Sequence, residues 1–468
     1  MSFTATLTNA ISGLNASTLR AEILSYNIAN AETPGFTRRS ADFESAVPGG
    51  VRPVTISVAD AGLAEHRLLG EFGREGEASL RSSALNLIND DFGQPGDSDG
   101  LYAVFTQFEL ALDDLRLTPE SASAQLALLQ AAEDVTNGFA TLDAQAQEMR
   151  LAADTAIDVG VTNVNNALQE LDLLNADAAR PRSVSLDTIA ERQRVLVSEI
   201  ATQIDINVTG EYGGELTIRT KGGLLLLGDE PNLLEFNRAG SVNYNTTLAS
   251  GALSGLTVYG VDITPGAVQG LVSGEMAANF AIRDALATDY ADRLDAAAQE
   301  LVDRLEAADT TAAGGLFAIN AGTGSAAQLI TINAAIDPGQ GGELYRIRDG
   351  VGATVEGPAA GDGVLGLIKD ALDEQRALPV ATGTSSALSY IDMLGALSTQ
   401  LGTNAIYATG LYNDAAASRT SIEEEVIRQT GVDTDRELQD LILVEQAFAA
   451  NARVIQAADE MLRQLLEI

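Results

Sequence analysis

The sequence contains no cysteine and no tryptophan, and it has a single histidine. Without cysteine, the chain can form neither a disulfide bond nor a cysteine-ligated metal site nor a thiol nucleophile. His66 stands between Glu65 and Arg67, with no second histidine to share a zinc ion and no evident nucleophile to activate. We interpret His66 as a solvated side chain, and we expect no catalytic, cofactor-binding or metal-binding site.

Positive charge is also scarce. The 28 Lys and Arg residues stand against 66 Asp and Glu residues, which gives a formal net charge of −38 at pH 7. Phosphate backbones and anionic membrane surfaces attract cationic side chains, so we expect neither nucleic acid nor membrane as a partner.

No apolar run approaches the roughly twenty residues of a membrane span. Residues 1–19 carry no charge and so lack the positive region of a signal peptide, and we expect any export to use no cleaved leader.

What the sequence does contain is an apolar seam near each end of the chain. In both seams, apolar or small residues recur at spacings of three and four. The first seam comprises Phe3, Leu7, Ala10, Leu14, Ser17, Ala21, Leu24 and Ile28, and the second comprises Leu441, Val444, Phe448, Asn451, Ile455, Ala458, Leu462 and Leu465. Such spacing indicates helices that pack lengthwise, and a lone polar member such as Asn451 typically fixes register. We predict that the terminal helices pair as a coiled coil, with two ordinary amphipathic helices in a globular core as the alternative.

A turn motif follows the first seam. It consists of Asn27, Ile28, Ala29 and Asn30, then Thr33, Pro34, Gly35 and Phe36, and finally Arg38. Asn30 is expected to cap the helix in a left-handed conformation, Pro34 forbids continuation of the helix, and Gly35 supplies the freedom of φ that a sharp turn needs.

This motif resembles the N-terminal signature of the bacterial flagellar axial proteins, which are the rod, hook and hook-associated proteins. Residues 445–455 and 459–468 resemble the closing helix of the same family, and residues 191–196 resemble a segment of its hook-associated members. The long helices expected on both sides of a β insert favour the hook-associated proteins over the rod and hook types.

Between the two ends, helical and alternating patterns follow one another. Thr118 and Pro119 are expected to cap and begin a long helix, and further helices are predicted over 185–200, 274–308 and 386–428. The last of these carries residues at heptad spacing, namely Tyr390, Leu394, Leu397, Leu401, Ala408, Leu411 and Ala415. Alternation from Ile204 to Val261 predicts a β meander.

The predicted fold class is mainly α with a β insert: paired terminal helices, a long-helix bundle domain and a small β domain. The expected domains are a terminal coiled-coil domain (1–38 and 433–468), a mainly helical middle domain (39–200 and 270–432, irregular or β near 314–363) and a β-rich outer insert (201–269).

The resemblance implies a structural role. Subunits would associate into a ring between hook and filament through the two seams and the turn motif. Their partners would be the hook protein, the second junction protein or flagellin and, before export, a cytosolic chaperone on the C-terminal helix. The protein would act outside the cell, in the flagellum.

Three alternatives remain at this point. Another axial protein of hook or rod type would share the turn motif, and a secreted adhesin or effector with a helical stalk could share the heptads. A peptidoglycan hydrolase would need paired carboxylates. With 66 acids some pair always looks suggestive, so their number is no evidence for a catalyst, and we expect no enzyme.

Overall fold

The computed structural model of the chain describes residues 3–33, 35–47, 49–179, 186–311, 314–359, 361–383 and 386–466. These residues group into two compact units. The terminal unit comprises Met1–Gly73, Val164–Leu233 and Ala416–Ile468, and the central unit comprises Arg74–Asn163 and Leu234–Ala415.

Most of the described chain is helical. The helices are α1 (Phe3–Ala29), α2 (Leu63–Phe92), α3 (Gly100–Leu117), α4 (Ala122–Ala178), α5 (Leu186–Gln203), α6 (Glu275–Ala281), α7 (Ala287–Ala308), α8 (Ala326–Leu329), α9 (Arg346–Asp349), α10 (Leu365–Asp373), α11 (Tyr390–Thr430) and α12 (Thr434–Leu466). A π-helical turn, Ile282–Leu286, joins α6 to α7.

The strands are short and form small antiparallel sheets. They are β1 (Arg39–Ser45), β2 (Val51–Val58), β3 (Ile206–Thr209), β4 (Thr217–Thr220), β5 (Leu225–Leu227), β6 (Leu234–Glu235), β7 (Thr257–Val258), β8 (Val261–Asp262), β9 (Phe317–Ile319), β10 (Ile330–Ile332), β11 (Arg376–Ala377) and β12 (Ala387–Leu388). The predicted class, mainly helical with a few small sheets, is confirmed.

In the terminal unit, α1 packs along α12, which confirms the predicted pairing of the terminal helices. β1 and β2 form a hairpin that contacts α1.

Strands β3, β4 and β5 form a three-stranded sheet next to a pair of buried amides. The Asn175 amide pairs with both backbone groups of Leu216, at 2.8 and 3.0 Å, while Gln193 Oε1 accepts from Gly213 N at 2.7 Å. These bonds satisfy the loop before β4, whose backbone groups would otherwise be buried without partners.

The prediction of one continuous β meander is wrong. Residues 204–262 form two separate three-stranded sheets, β3–β5 in the terminal unit and β6–β8 in the central unit. The residues between β6 and β7 form an irregular loop, because buried side chains of the central unit bind its backbone in place of a neighbouring strand. Arg150 Nη1 donates to the Asn243 carbonyl at 2.9 Å, and Asp154 Oδ2 accepts from Ala239 N at 2.7 Å.

The start predicted for the long helix is also wrong. α3 ends at Leu117, and the backbone N–H of Thr118 closes that helix by donating to the Leu115 carbonyl at 3.1 Å. The long helix α4 begins at Ala122, and its cap is Ser121, whose hydroxyl accepts from Ala124 N at 3.3 Å. A Thr-Pro pair therefore lies in the connection between two helices here.

The core of the central unit is aromatic and aliphatic. Phe105, Phe108 and Phe317 are fully buried, and the ring of Phe105 lies 4.6 Å from that of Tyr390. Tyr390, the first residue of α11, donates its hydroxyl hydrogen to the Ala297 carbonyl at 2.9 Å. The hydrogen bond lets a polar group enter an apolar core without an unsatisfied donor.

Four arginines, Arg150, Arg283, Arg304 and Arg348, are buried in the same unit. Arg283 lies in the π-helical turn, and its carbonyl accepts from Arg150 Nε at 2.9 Å. Its guanidinium forms ion pairs with Asp154 at 2.7 Å and with Asp284 at 2.8 Å. The Arg283–Asp154 pair is fully buried, so the charge of Asp154 depends on Arg283 for compensation.

Among the described residues, no helix combines the length and the apolar character that a membrane crossing requires.

We predict that Arg283→Met lowers the free energy of unfolding by about 3–5 kcal/mol, because Asp154 then remains as a buried charge without its partner. The matched control is Arg81→Met, which removes an exposed pair with Glu77 in the same unit and should cost at most about 1 kcal/mol. Urea unfolding followed by circular dichroism measures both. Equally small losses in the two variants would contradict the structural role of the buried pair.

Candidate functional site

The turn motif lies where α1 ends and the β1–β2 hairpin begins. The side chain of Asn30 donates to the Tyr26 carbonyl at 2.9 Å and so caps the last turn of α1. The expected left-handed backbone at Asn30 is wrong, since its φ is not positive: the side-chain amide reaches the carbonyl from ordinary backbone angles. Pro34 lies outside the described residues. Gly35 has a φ of +75°, and a Cβ there would lie 2.8 Å from the Glu191 carbonyl oxygen, so both backbone and space require glycine.

Asn27 is completely buried and connects three segments of the terminal unit. Its Oδ1 accepts from Arg39 N at 3.0 Å, and its Nδ2 donates to the Arg39 carbonyl at 2.9 Å. The same Nδ2 donates to Glu437 Oε2, in the first turns of α12, at 3.0 Å. One amide thus fixes the end of α1, the start of β1 and the start of α12.

The Glu437 carboxylate is also completely buried. Arg38 Nε donates to its second oxygen at 2.5 Å, while Arg38 N donates to the Thr430 carbonyl, at the end of α11, at 2.8 Å. The helix dipole near the N-terminus of α12 favours a negative charge at this position. We call Asn27, Arg38, Arg39, Thr430 and Glu437 the turn junction.

Two aromatic side chains contact Arg39 of the turn junction. The guanidinium of Arg39 lies 4.1 Å from the centre of the Tyr26 ring and 5.5 Å from that of Phe36, and it forms an ion pair with Glu191 at 2.8 Å. Phe36 of the motif therefore contributes to a cation–π cluster that connects the turn to α5.

A second ion pair connects α5 to the start of α2. Arg194 Nε donates to Glu65 Oε1 at 3.0 Å, and the guanidinium lies 4.7 Å from the centre of the Tyr212 ring. Burial raises the pKa of Glu65, and the charge of Arg194 partly offsets that rise. Burial also raises the pKa of Tyr212. His66 is exposed, as expected for a solvated side chain.

The terminal helices run antiparallel. Asn27 contacts Glu437, and Gly13 lies next to Asn451. The second contact is reached by moving toward the N-terminus in α1 and by the same number of residues toward the C-terminus in α12. A Cβ on Gly13 would lie 2.8 Å from Asn451 Nδ2, so the glycine provides the space that the amide occupies. The polar residue predicted to fix register therefore lies opposite a glycine of the partner helix.

The seam residues differ in burial. Ala10, Ser17, Leu24, Val444 and Ala458 are buried; Leu7, Leu14, Ala21, Ile28, Leu441, Asn451 and Ile455 are half-buried; Phe448 and Leu462 are 42% and 39% exposed. In the turn motif, Phe36 is half-buried, and Ala29 and Thr33 are exposed. The side chains of Phe3 and Leu465 lie outside the described residues. The two helices thus bury one stripe against each other, and their largest described seam side chain stays exposed.

The tip of the β1–β2 hairpin folds back onto α1. Val51 N donates to Ser12 Oγ at 3.1 Å. Gly49 and Gly50 both have positive φ, and Cβ atoms on them would collide with the side chains of Asn9 and Ser12. Between the hairpin, α1 and α12 lies a groove of about 510 Å³, whose lining includes Leu24, Phe43 and Val444.

Among the described residues, no group of three or more His, Asp or Glu side chains could hold a metal ion. The site at the terminal helices is a set of packing and hydrogen-bonding contacts, and its chemistry suits association between helices.

Comparison with known proteins finds flagellar relatives along the chain. Residues 85–315 match the family model of the helical domain of flagellar hook-associated protein FlgK. Residues 7–37 match the model of the flagella basal body rod protein, and residues 424–468 match that of the C-terminal part of the flagellar basal body rod FlgEFG proteins. Over its middle the chain is similar to the helical domain of flagellar hook-associated protein FlgK, and at both ends it is similar to flagellar basal body rod proteins.

The chain is also similar to curated hook-associated proteins. Flagellar hook-associated protein 1 of Salmonella typhimurium and that of Escherichia coli K12 are each 23% identical to the chain over 234 residues. Each match covers 47% of this chain and 42% of the relative, so the chain spans less than half the length of these relatives. Among solved structures, the flagellar hook junction protein FlgK from Burkholderia pseudomallei aligns with a TM-score of 0.44 and 18% identity, over 55% of this chain and 47% of that chain.

Sequence reasoning missed most partners of the turn motif. Glu437, Arg39 and Glu191 were not predicted to contact it, and the ion pair of Arg194 with Glu65 was not predicted either. For Glu437 a signal exists, because it lies one heptad before Val444 and so continues the C-terminal seam by one polar member. For the two α5 residues no periodicity gives a signal, since their contacts depend on the tertiary fold.

We predict that Asn27→Ala lowers the free energy of unfolding by about 1–3 kcal/mol, because two backbone groups and part of a carboxylate lose their buried partner. Asn15→Ala, an exposed position in the same helix, is the matched control, with an expected change within about 0.5 kcal/mol. Urea unfolding of the full chain measures both. If the two variants unfolded alike, the turn junction would not stabilise the terminal unit.

Proposed function

We propose that the chain is a structural subunit of the bacterial flagellum that forms the junction between hook and filament. The observation that supports this proposal most directly is the state of the terminal helix pair. The pair is fixed at one end by the turn junction, and along its length it exposes large apolar side chains. Phe448 and Leu462 belong to the predicted seam, while Ile11 of α1 is 45% exposed and Leu443 of α12 is 60% exposed.

These exposed side chains suit polymerisation through the terminal helices. Apolar surface of this extent on a long helix pair is typical of an interface that neighbouring subunits complete. The groove beside Leu24, Phe43 and Val444 offers further apolar surface to a neighbour. In this proposal, residues 1–38 and 433–468 form the inner wall of a ring.

The partners follow from the same proposal. A ring at the junction would contact hook protein on one side and the second junction protein or flagellin on the other. Before export, the exposed apolar residues of α12 suit a cytosolic chaperone that binds the C-terminal helix. Export would deliver the subunit to the flagellum outside the cell. The role is mechanical and requires no catalysis.

A deletion experiment in the bacterium that carries the chain tests the proposal. Cells without the protein should keep their hooks but release filament subunits into the medium, and the wild-type chain should restore attached filaments. Filaments that remain attached in the deletion strain would contradict the proposed junction role.

A variant of the terminal seam sharpens this experiment. Phe448→Glu should fail to restore filaments, because it places a charge where a neighbouring subunit would bury an aromatic ring. Leu173→Glu is the control: Leu173 is a 66% exposed leucine of the terminal unit outside the seam, and its variant should restore filaments as the wild type does. Equal restoration by both variants would remove Phe448 from the interface.

A further inference from the structure

One helix of the central unit carries a long stretch without charge. Residues 393–413 of α11 contain no Asp, Glu, Lys or Arg, although one residue in five of the whole chain is charged. The inner side of this stretch explains part of the pattern, since Leu394, Leu397 and Leu401 are buried in the core of the central unit. Burial does not explain the neutrality of its outer side.

The outer side of the stretch presents large apolar residues to solvent. Ile406 is 76% exposed, Tyr407 is 68% exposed and Leu411 is 47% exposed. Of the residues at heptad spacing in this part of α11, Ala408 and Ala415 are buried, whereas Leu411 is not. At Gly410, an added Cβ would meet no atom within 4 Å, so the helix backbone itself is accessible there. We call Ile406, Tyr407, Gly410 and Leu411 the α11 face.

The neighbouring segment of α2 is neutral as well. Ser82 Oγ lies 3.0 Å from Thr409 Oγ1, and Asn86 Nδ2 donates to the same oxygen at 3.1 Å. Residues 82–89 of α2 carry no charge. The hydrogen bonds between the two helices are thus made by neutral groups, and on this side the α11 face is bordered by uncharged residues.

Charge decides which partner fits such a surface. Two copies of a chain with a net charge of −38 repel each other wherever their acidic surfaces meet. A surface without acids is a place where copies can approach without that cost, and apolar side chains then supply the attraction. A partner recognised by its charge would need several ionised groups on this face, and the nearest along α11 is the single exposed Asp414, one turn beyond Gly410.

We propose that the α11 face is a contact surface between adjacent copies of this chain, in addition to the terminal helices. The inference rests on the proposed assembly function and adds to it an attachment point in the central unit. Ile406, Tyr407 and Leu411 supply the apolar contact, and Gly410 permits a side chain of the adjacent copy to approach the helix backbone.

The absence of cysteine makes a direct test possible, since one introduced cysteine is the only thiol in the chain. The purified full-length Tyr407→Cys protein is labelled with a benzophenone maleimide, irradiated over a series of concentrations, and its adducts are identified by mass spectrometry. Val159→Cys is the matched control, at a 53% exposed helical position of the same unit. We expect the Tyr407→Cys protein to form adducts between two copies that increase with protein concentration, and the Val159→Cys protein to form few.

A second substitution tests the apolar contact itself. Ile406→Glu in the Tyr407→Cys background should reduce the yield of such adducts by about ten-fold or more, since an unpaired charge is placed in the contact. Yields from Tyr407→Cys no higher than those from Val159→Cys, or unaffected by Ile406→Glu, would overturn the inference. This result is independent of the deletion experiment. Adducts without restored filaments would contradict only the junction role, and restored filaments without adducts would contradict only the α11 face.

Discussion

The buried carboxylate of Glu437 is the group on which the arrangement of the chain ends depends. It lies at the start of the last helix, where the helix dipole favours it, and it is compensated by Arg38 and by the amide of Asn27. Because Asn27 also holds both backbone groups of Arg39, the end of α1, the hairpin and α12 share one set of polar contacts. The rest of the helix pair has no comparable polar anchor among the described residues and relies on apolar packing.

A helix pair that is fixed at one end and has an open length, along which apolar side chains stay exposed, suits a subunit of a polymer. The fixed end sets the register of the helices, which Asn451 and Gly13 support further along. The open length keeps apolar residues such as Phe448 accessible for contacts that neighbouring copies supply. The central unit, in contrast, has an aromatic core of its own and a fully buried Arg283–Asp154 pair.

The sequence predicts well what is periodic and local. The paired terminal helices, the turn at Gly35 and the long helices follow from heptad spacing and from the conformational rules for proline and glycine. The contacts of Arg39 with Glu191 and of Arg194 with Glu65 could not be predicted, because each joins residues more than a hundred positions apart through the tertiary fold. The division of the expected meander has a similar cause, since buried Arg150 and Asp154 bind the intervening loop from a helix far earlier in the chain.

We propose that the terminal helix pair is anchored at the turn junction and that only assembly completes its packing along the rest of its length. Hydrogen exchange of backbone amides in a proven monomer of the full chain tests this proposal. We expect protected amides near Asn27 and Glu437, weak protection from Leu7 to Leu14 and from Asn451 to Leu462, and a gain of protection in those two segments on polymerisation. Uniformly strong protection of α1 and α12 in the monomer would contradict it.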